Sequence, residues 1–255
     1  MLKFWKNIRK RLINLNKLKK YGLYAIGEIL LVMIGILLAL CVNNQNQIRI
    51  ERNAEKQYLR SLKEEFTRNL NEANRVLNSC NSILESGSKL ANWAGPGNLD
   101  VDDSSIEKNI AHTFAEPPKY IQSPGILNDL ISSGNLNKIR SDQLRYLLQQ
   151  WLAITKDVED EENELWRNRF NVVDLMNKKI SFKNLLSTIG VLSKLRGIDH
   201  EVRFNSDTQE ILRDRYFENL LLFYLVNLNA LNNDYYPRLK SNINQIINEI
   251  DRQLL

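Results

Sequence analysis

YGLYAIGEILLVMIGILLALCV, residues 21–42, is an apolar run that is long enough to cross a lipid bilayer. At 1.5 Å per residue these residues form a helix of about 33 Å, and a hydrocarbon core is about 30 Å thick. The polar segment Asn43–Gln47 follows directly. The sequence therefore predicts a transmembrane helix over residues 21–43, with one carboxylate, Glu28, inside it.

The residues before this run are strongly cationic. The whole chain has a net charge of +5, but the first twenty residues alone carry +8, so the remainder is slightly acidic. Apolar residues recur among these cations at helical spacing, which predicts a cytoplasmic basic amphipathic segment over residues 1–20. Its expected partner is the anionic inner leaflet of the bilayer rather than nucleic acid. The alternative is a basic tail that only fixes topology. The eight cations are Lys3, Lys6, Arg9, Lys10, Arg11, Lys17, Lys19 and Lys20.

This charge asymmetry predicts the orientation of the chain. Cations beside a span are retained in the cytoplasm, so the N-terminus is expected inside. Residues 44–255 are then a periplasmic domain held at a bacterial inner membrane. A lipid on Cys41 is disfavoured, because Leu40 stands where a lipoprotein signal needs a small residue.

The domain after the span is predicted to be all-α, an antiparallel helical bundle with a long first helix. From residue 45 to 90 apolar residues recur at spacings of three and four, which is typical of a helix with one buried face. No Pro or Gly interrupts residues 36–85, so this helix is expected to continue from the span. The stripe packs either inside its own bundle or as a coiled coil between copies; its members are Leu59, Leu62, Phe66, Leu70, Ala73, Leu77, Cys80 and Leu84.

Further helices are predicted between clear breaks in the sequence. Capping boxes at Ser104 and Ser206 begin two of them. The seven consecutive apolar residues Leu220–Val226 are too short to span a membrane and are expected at the buried centre of the bundle. Pro237 is expected to kink or split the last helix. The predicted ranges are 104–116, 126–133, 141–176, 182–195, 206–226 and 239–254.

The membrane helix carries the one contact that the sequence predicts by residue. Glu28, Gly35 and Ala39 are separated by seven and four positions, so they share one helix face. Two small residues four apart allow another helix to approach closely, and a carboxylate at membrane depth usually has a partner. Either Glu28 bonds across to a second copy or to another membrane protein, or it reaches back to the cytoplasmic surface.

The sequence offers little support for catalysis. Its two histidines, His112 and His200, are far apart, and zinc, nucleotide and nucleophile-elbow motifs are absent. We predict no enzyme activity, no cofactor and no metal. The loop Asp100–Ser104 resembles the start of a calcium loop, but it lacks the glycine at position six and the carboxylate at position twelve. The acidic run Asp157–Glu164 is expected to be a solvated face, with contact to a basic partner as the alternative.

Two blocks of sequence resemble one family. Tyr24–Ile29, Gly35–Leu40 and Asn43–Asn44 form the first, and Leu130–Leu136 with Ile139 and Leu144 form the second. They resemble an uncharacterised family of single-pass membrane proteins from Bacteroidota, known as domain of unknown function 6090. The resemblance implies an envelope protein and no activity.

The expected role follows from these features. A membrane-anchored structural or interaction module, whose outer bundle engages another protein, is favoured. A sensory or regulatory subunit that passes a signal through the membrane helix is the alternative. A sensor should contain a polar-lined pocket, and an interaction module should expose an apolar face.

Overall fold

The computed structural model describes residues 18–97, 100–204 and 206–255. All regular structure in these ranges is helical and contains no strand, which confirms the all-α prediction. The chain divides into two compact units, Met1–Gln57 and Tyr58–Leu255. Most of the predicted basic segment, with Lys3, Lys6, Arg9, Lys10, Arg11 and Lys17, lies outside the described residues.

The first helix, α1, spans Leu18–Trp93 and has 76 residues. It begins close to Lys19 and Lys20 and continues past the apolar run without a break, as predicted. Within it, an apolar window of 18 residues has no buried side chain and is long and apolar enough to cross a membrane.

Seven further helices and three single turns follow in the described residues of the second unit. Short 3₁₀ turns occupy Asn135–Lys138 and Leu192–Lys194, and a π-helical turn occupies Leu231–Tyr235. The helices are α2 Asp103–Phe114, α3 Gly125–Ser132, α4 Asp142–Lys179, α5 Phe182–Thr188, α6 Thr208–Leu212, α7 Arg215–Ala230 and α8 Tyr236–Leu254.

The apolar stripe of α1 packs inside the chain's own domain. Most of its predicted members are buried, and Leu70, Leu77 and Leu84 are partly buried against the same core. The Phe66 ring meets the buried Trp151 indole of α4 edge-on, with ring centroids 5.3 Å apart. Helix α4 in turn packs along α7 and α8.

Two predicted caps are displaced, one by two residues and the other by one. Asp102, not Ser104, caps α2, because its carboxylate accepts a hydrogen bond of 2.9 Å from the Ser105 N–H. Glu107, expected to complete a capping box, is instead buried and accepts hydrogen bonds from Asn184 and Thr188. It therefore ties α2 to α5 rather than closing the end of its own helix.

The predicted helix over residues 206–226 is wrong in its boundaries. It is split into α6 and α7 at Asp214, whose carboxylate accepts from the Tyr216 N–H and starts a new helix. Asp207 caps α6, while the Ser206 hydroxyl accepts from the Ser181 N–H.

Two other helix ends follow from glycine and proline. Helix α5 ends at Thr188 instead of continuing to residue 195, because the chain turns at Gly190 with a φ of 70°. Pro237 is the second residue of α8 and follows the π turn, so the predicted interruption is present. The wider π turn makes room for the proline ring at a point where proline cannot supply the N–H of a regular α-helix.

The prediction that Leu220–Val226 forms a buried centre is wrong for three of its seven residues, which are exposed. Leu221, Tyr224 and Leu225 are buried, whereas Phe223 and Val226 are 65% and 66% exposed. The cause is helical periodicity, since seven consecutive apolar residues encircle a helix whose neighbours cover only one side.

The displaced cap gives a first prediction. Replacing Asp102 with Ala removes the acceptor for the first turn of α2 and should lower the melting temperature by about 2–4 °C. Replacing Ser104 with Ala should leave it unchanged. Thermal unfolding of the full-length chain in detergent micelles, followed by circular dichroism, compares them. Equal loss in both variants would contradict the assignment of the cap.

Candidate functional site

Residues 116–124, which we call the strap, join α2 to α3 without helix or turn. Pro117, Pro118 and Pro124 lie in it, and proline supplies no backbone N–H. Since buried peptide groups need hydrogen-bond partners, those of the strap must be satisfied by side chains from other elements.

The first set of partners comes from one face of α1. The Asn69 side chain, fully buried, accepts from the Ser123 N–H at 2.8 Å and donates to the Ser123 carbonyl at 3.3 Å. One turn earlier, the buried Glu65 carboxylate accepts from the N–H groups of Ile126 and Leu127 at 2.6 and 3.2 Å. These two donors lie in the first turn of α3, so Glu65 fixes where that helix begins.

The same face of α1 continues along the strap. Glu72 accepts from the Ile121 N–H at 3.2 Å, and Arg75 donates to the Lys119 carbonyl at 2.8 Å. Because Arg75 also holds Glu72 through two hydrogen bonds, the pKa of Glu72 is lowered. The strap thus runs antiparallel to α1 and is bonded to it at alternate residues.

The second partner comes from α4. Glu162 is only 4% exposed and accepts from the Tyr120 N–H at 2.7 Å and from the Tyr236 hydroxyl at 2.8 Å. Burial raises the pKa of Glu162 despite these bonds, and burial likewise raises the pKa of Glu65. Both carboxylates are therefore held at a desolvation cost, which hydrogen bonding partly offsets.

A cleft of about 620 Å³ separates the strap from α4. The buried Tyr120 and Trp151 side chains line it, and within the described chain neither the Tyr120 hydroxyl nor the Trp151 indole N–H has a partner at normal hydrogen-bond distance and angle. Its wall combines apolar, amide and charged groups; the residues are Lys119, Tyr120, Ile121, Gln122, Pro124, Asn128, Trp151, Leu152, Thr155, Lys156, Val158, Glu159 and Glu162.

The acidic run of α4 is only partly the solvated face that the sequence predicts. Asp157, Glu159 and Asp160 are exposed and pair with Arg238 or Lys156. Glu162 shares a face with Val158 and Leu165 and is buried with them. The sequence signal for this burial is that Glu162 lies four residues after Val158 and three before Leu165. This spacing does not reveal which groups the Glu162 carboxylate contacts.

The predicted membrane contact residues are all on the exposed surface of α1. Glu28, Gly35 and Ala39 are exposed, and a Cβ built on Gly35 would meet no atom within 4 Å. All three belong to the continuous helix α1.

One serine and one histidine meet outside the strap. The Ser82 hydroxyl lies 2.9 Å from the His112 Nε2, at an exposed position between α1 and α2. The Glu85 carboxylate of α1 accepts a hydrogen bond from Lys89 at 2.8 Å. Among residues 18–97, 100–204 and 206–255, no group of three or more His, Cys, Asp or Glu side chains is placed to hold a metal ion.

No family model matches the chain, and neither a curated protein nor a solved structure matches it. The assignment of a role therefore depends on the geometry of the strap, the cleft and the exposed helix faces.

The buried Glu162 carboxylate gives a second prediction. Replacing Glu162 with Leu orphans the Tyr120 N–H and the Tyr236 hydroxyl and should cost about 1–3 kcal/mol of unfolding free energy for each. Replacing it with Gln keeps an acceptor and should cost much less. Urea unfolding of the full-length chain measures both variants, and equal losses would show that the hydrogen bonds are unimportant.

The raised pKa of Glu162 predicts a pH dependence, which a comparison of wild type with Glu162→Gln can measure. Burial raises the pKa of Glu162 above its ordinary value of 4.5. At pH values between the ordinary and the raised pKa, Glu162 is therefore protonated in the folded chain and ionised in the unfolded chain. The contribution of Glu162 to the unfolding free energy therefore falls as the pH rises through this range. Wild type should gain stability relative to Glu162→Gln on moving from neutral to mildly acidic pH. A difference that does not change with pH would contradict the raised pKa.

Proposed function

We propose that this chain is a membrane-anchored interaction module whose outer helical domain binds another protein. The observation that carries the proposal is the apolar face that α7 leaves uncovered. Leu222, Phe223 and Val226 are 45%, 65% and 66% exposed and lie within one turn of each other. Exposed apolar residues grouped in this way are typical of protein contact sites.

The opposite face of α7 is held firmly, so the exposed face is presented in a fixed orientation. A Cβ built on Gly87 of α1 would lie 2.4 Å from the Leu225 Cδ2, which shows how closely α7 approaches α1. The Tyr224 hydroxyl donates to the Thr113 carbonyl at 3.1 Å. Asn227 bonds to α4. A rigid aromatic anchor loses little conformational entropy on binding.

The apolar part of α1 is proposed as the membrane anchor. Its uncovered apolar window needs a partner, and a bilayer satisfies the whole circumference of a helix. The cations before it favour a cytoplasmic N-terminus and a periplasmic domain. The resemblance to the Bacteroidota membrane family agrees with this placement.

Within the membrane, Glu28, Gly35 and Ala39 are proposed to contact a second copy or another membrane protein. The absence of a side chain at Gly35 and the small one at Ala39 allow close approach. A hydrogen bond from the partner would then offset the cost of placing Glu28 at membrane depth.

The cleft favours a second candidate, a sensory or regulatory subunit. It has the mixture of apolar and polar wall residues that small ligands use. Helix α1 contains both the apolar run and residues that bind the strap, so a change at the strap has a covalent route toward the membrane segment.

The exposed face of α7 gives a third prediction. A photo-crosslinking benzoylphenylalanine at position 223 should capture a partner protein in cells that express the chain. Phe170 of α4 is a matched control, because it is an aromatic residue with 57% exposure on another surface. Crosslinking at 223 and not at 170 is expected. No product at either position, or equal yields at both, would contradict the proposal.

The charge asymmetry gives a fourth prediction. Alkaline phosphatase fused after Leu255 should be active, because the enzyme functions in the periplasm and not in the cytoplasm. Replacing the eight N-terminal cations with Gln should lower this activity by letting the N-terminus cross. Replacing Lys183 and Lys194, which are far from the span in the sequence, should not lower it. An inactive wild-type fusion would contradict the proposed orientation.

A further inference from the structure

The outer face of α7 has a regular spacing of exposed residues. Tyr216, Leu222, Phe223 and Val226 are 59%, 45%, 65% and 66% exposed, and Asn219 is exposed between them. We call these five residues the α7 seam. They recur at intervals of three and four, as positions a, d and e of a heptad do, so they form one row along the helix. A row with this period packs against the matching row of another helix.

The residue types at the centre of the seam are those of a parallel pair of helices. Asn219, Leu222 and Val226 take the positions a, d and a. In parallel coiled coils, Val at a with Leu at d favours two strands, and a single Asn at a specifies the register. The Asn219 side chain forms no hydrogen bond within the described chain, so its amide is free to bond to an identical amide.

The seam carries no charge that would keep two copies apart. The stretch Asn219–Asn233 contains no Asp, Glu, Lys or Arg. Arg215 and Glu218, at the start of α7, are opposite in sign. On the side of α7 that faces α4, the Glu161 carboxylate accepts a hydrogen bond from Asn227 at 2.8 Å. Since like charges that face each other oppose association, an uncharged seam suits contact with its own copy.

The direction of α7 also suits a parallel pair. Within the second unit, α7 and the π turn after it run antiparallel to α1. Leu225 lies against Gly87, and seven residues later Asn232 donates to Asn81 at 3.0 Å. Two copies that are anchored in one bilayer through α1 have this helix pointing the same way. Their α7 helices then also run in the same direction.

We propose that the protein pairs with a second copy of itself through the two α7 seams, side by side and in parallel. The inference rests on the proposed function and names the partner of the same face. Two-fold symmetry places each seam residue beside its counterpart. The Asn219 amides bond to each other, and Leu222 and Val226 pack at the centre. Anchoring in one membrane raises the effective concentration of the copies, which strengthens a contact of this length.

A disulfide between copies tests the parallel register. In a Cys41→Ser background only the buried Cys80 remains, and Val226→Cys then places two thiols beside each other at the centre of the pair. A disulfide requires this closeness. Mild oxidation of the full-length chain in lipid vesicles should convert most of it to a covalent dimer. Tyr146→Cys is the matched control, because Tyr146 of α4 is 55% exposed and its cysteine variant should stay monomeric.

A charge in the seam tests whether the seam holds the pair together. Val226→Asp sets two carboxylates against each other and should weaken dimerisation about tenfold or more. Energy transfer between labelled full-length copies in vesicles measures this change. Ile131→Asp is the matched control, because Ile131 of α3 is 41% exposed, and it should leave dimerisation unchanged. Both variants should retain the wild-type melting temperature, since both positions are exposed.

The outcomes separate this inference from the proposed function. A Val226→Cys protein that stays monomeric, or dimers that persist in Val226→Asp because the membrane helix alone holds them, would overturn pairing through the seam. A disulfide that forms only between Val226→Cys and Leu222→Cys would show an antiparallel pair and would also overturn it. A crosslink from position 223 to a different protein, without self-association, would retain the proposed function and overturn this inference. Failure of both experiments would overturn both.

Discussion

The hydrogen bonds of the strap are the constraint on which the second unit depends. Residues 116–124 carry three prolines and cannot bond to themselves as a helix does. Asn69 and Glu162 are buried to supply partners from two different helices, α1 and α4. The cost is the desolvation of the Glu162 carboxylate, which raises its pKa. The gain is an extended segment with a defined position between two helices.

The sequence predicted those parts of the fold that depend on local pattern. The long α1, its apolar stripe and the start of α4 at Ser141 followed from periodicity and from residues that begin or end helices. The strap contacts could not be predicted. Glu65, Asn69 and Glu162 occupy helix positions that are compatible with either a solvated or a buried face, and only the tertiary fold determines what each one meets. Asp102 was missed as a cap because serine and aspartate are both good caps, and Asp102 and Ser104 are only two positions apart.

The exposed face of α7 shows a related limit of local composition. An apolar run on a helix indicates burial only when neighbours surround the helix, and α7 has neighbours on one side. Phe223 therefore lies on the surface beside a rigidly held Tyr224. The candidate site was absent from the sequence interpretation for the same reason. The sequence shows which residues are polar and which are apolar, but their function depends on which surfaces the fold leaves uncovered. The proposed interaction role would account for the apolar face.

Amide hydrogen exchange across residues 120–123 of the full-length chain tests the strap geometry most directly. The account predicts slow exchange at Tyr120, Ile121 and Ser123, whose N–H groups are bonded to Glu162, Glu72 and Asn69. It predicts fast exchange at Gln122 alone. Slow exchange at Gln122, or equally fast exchange at all four amides, would contradict the alternation of hydrogen bonds along the strap.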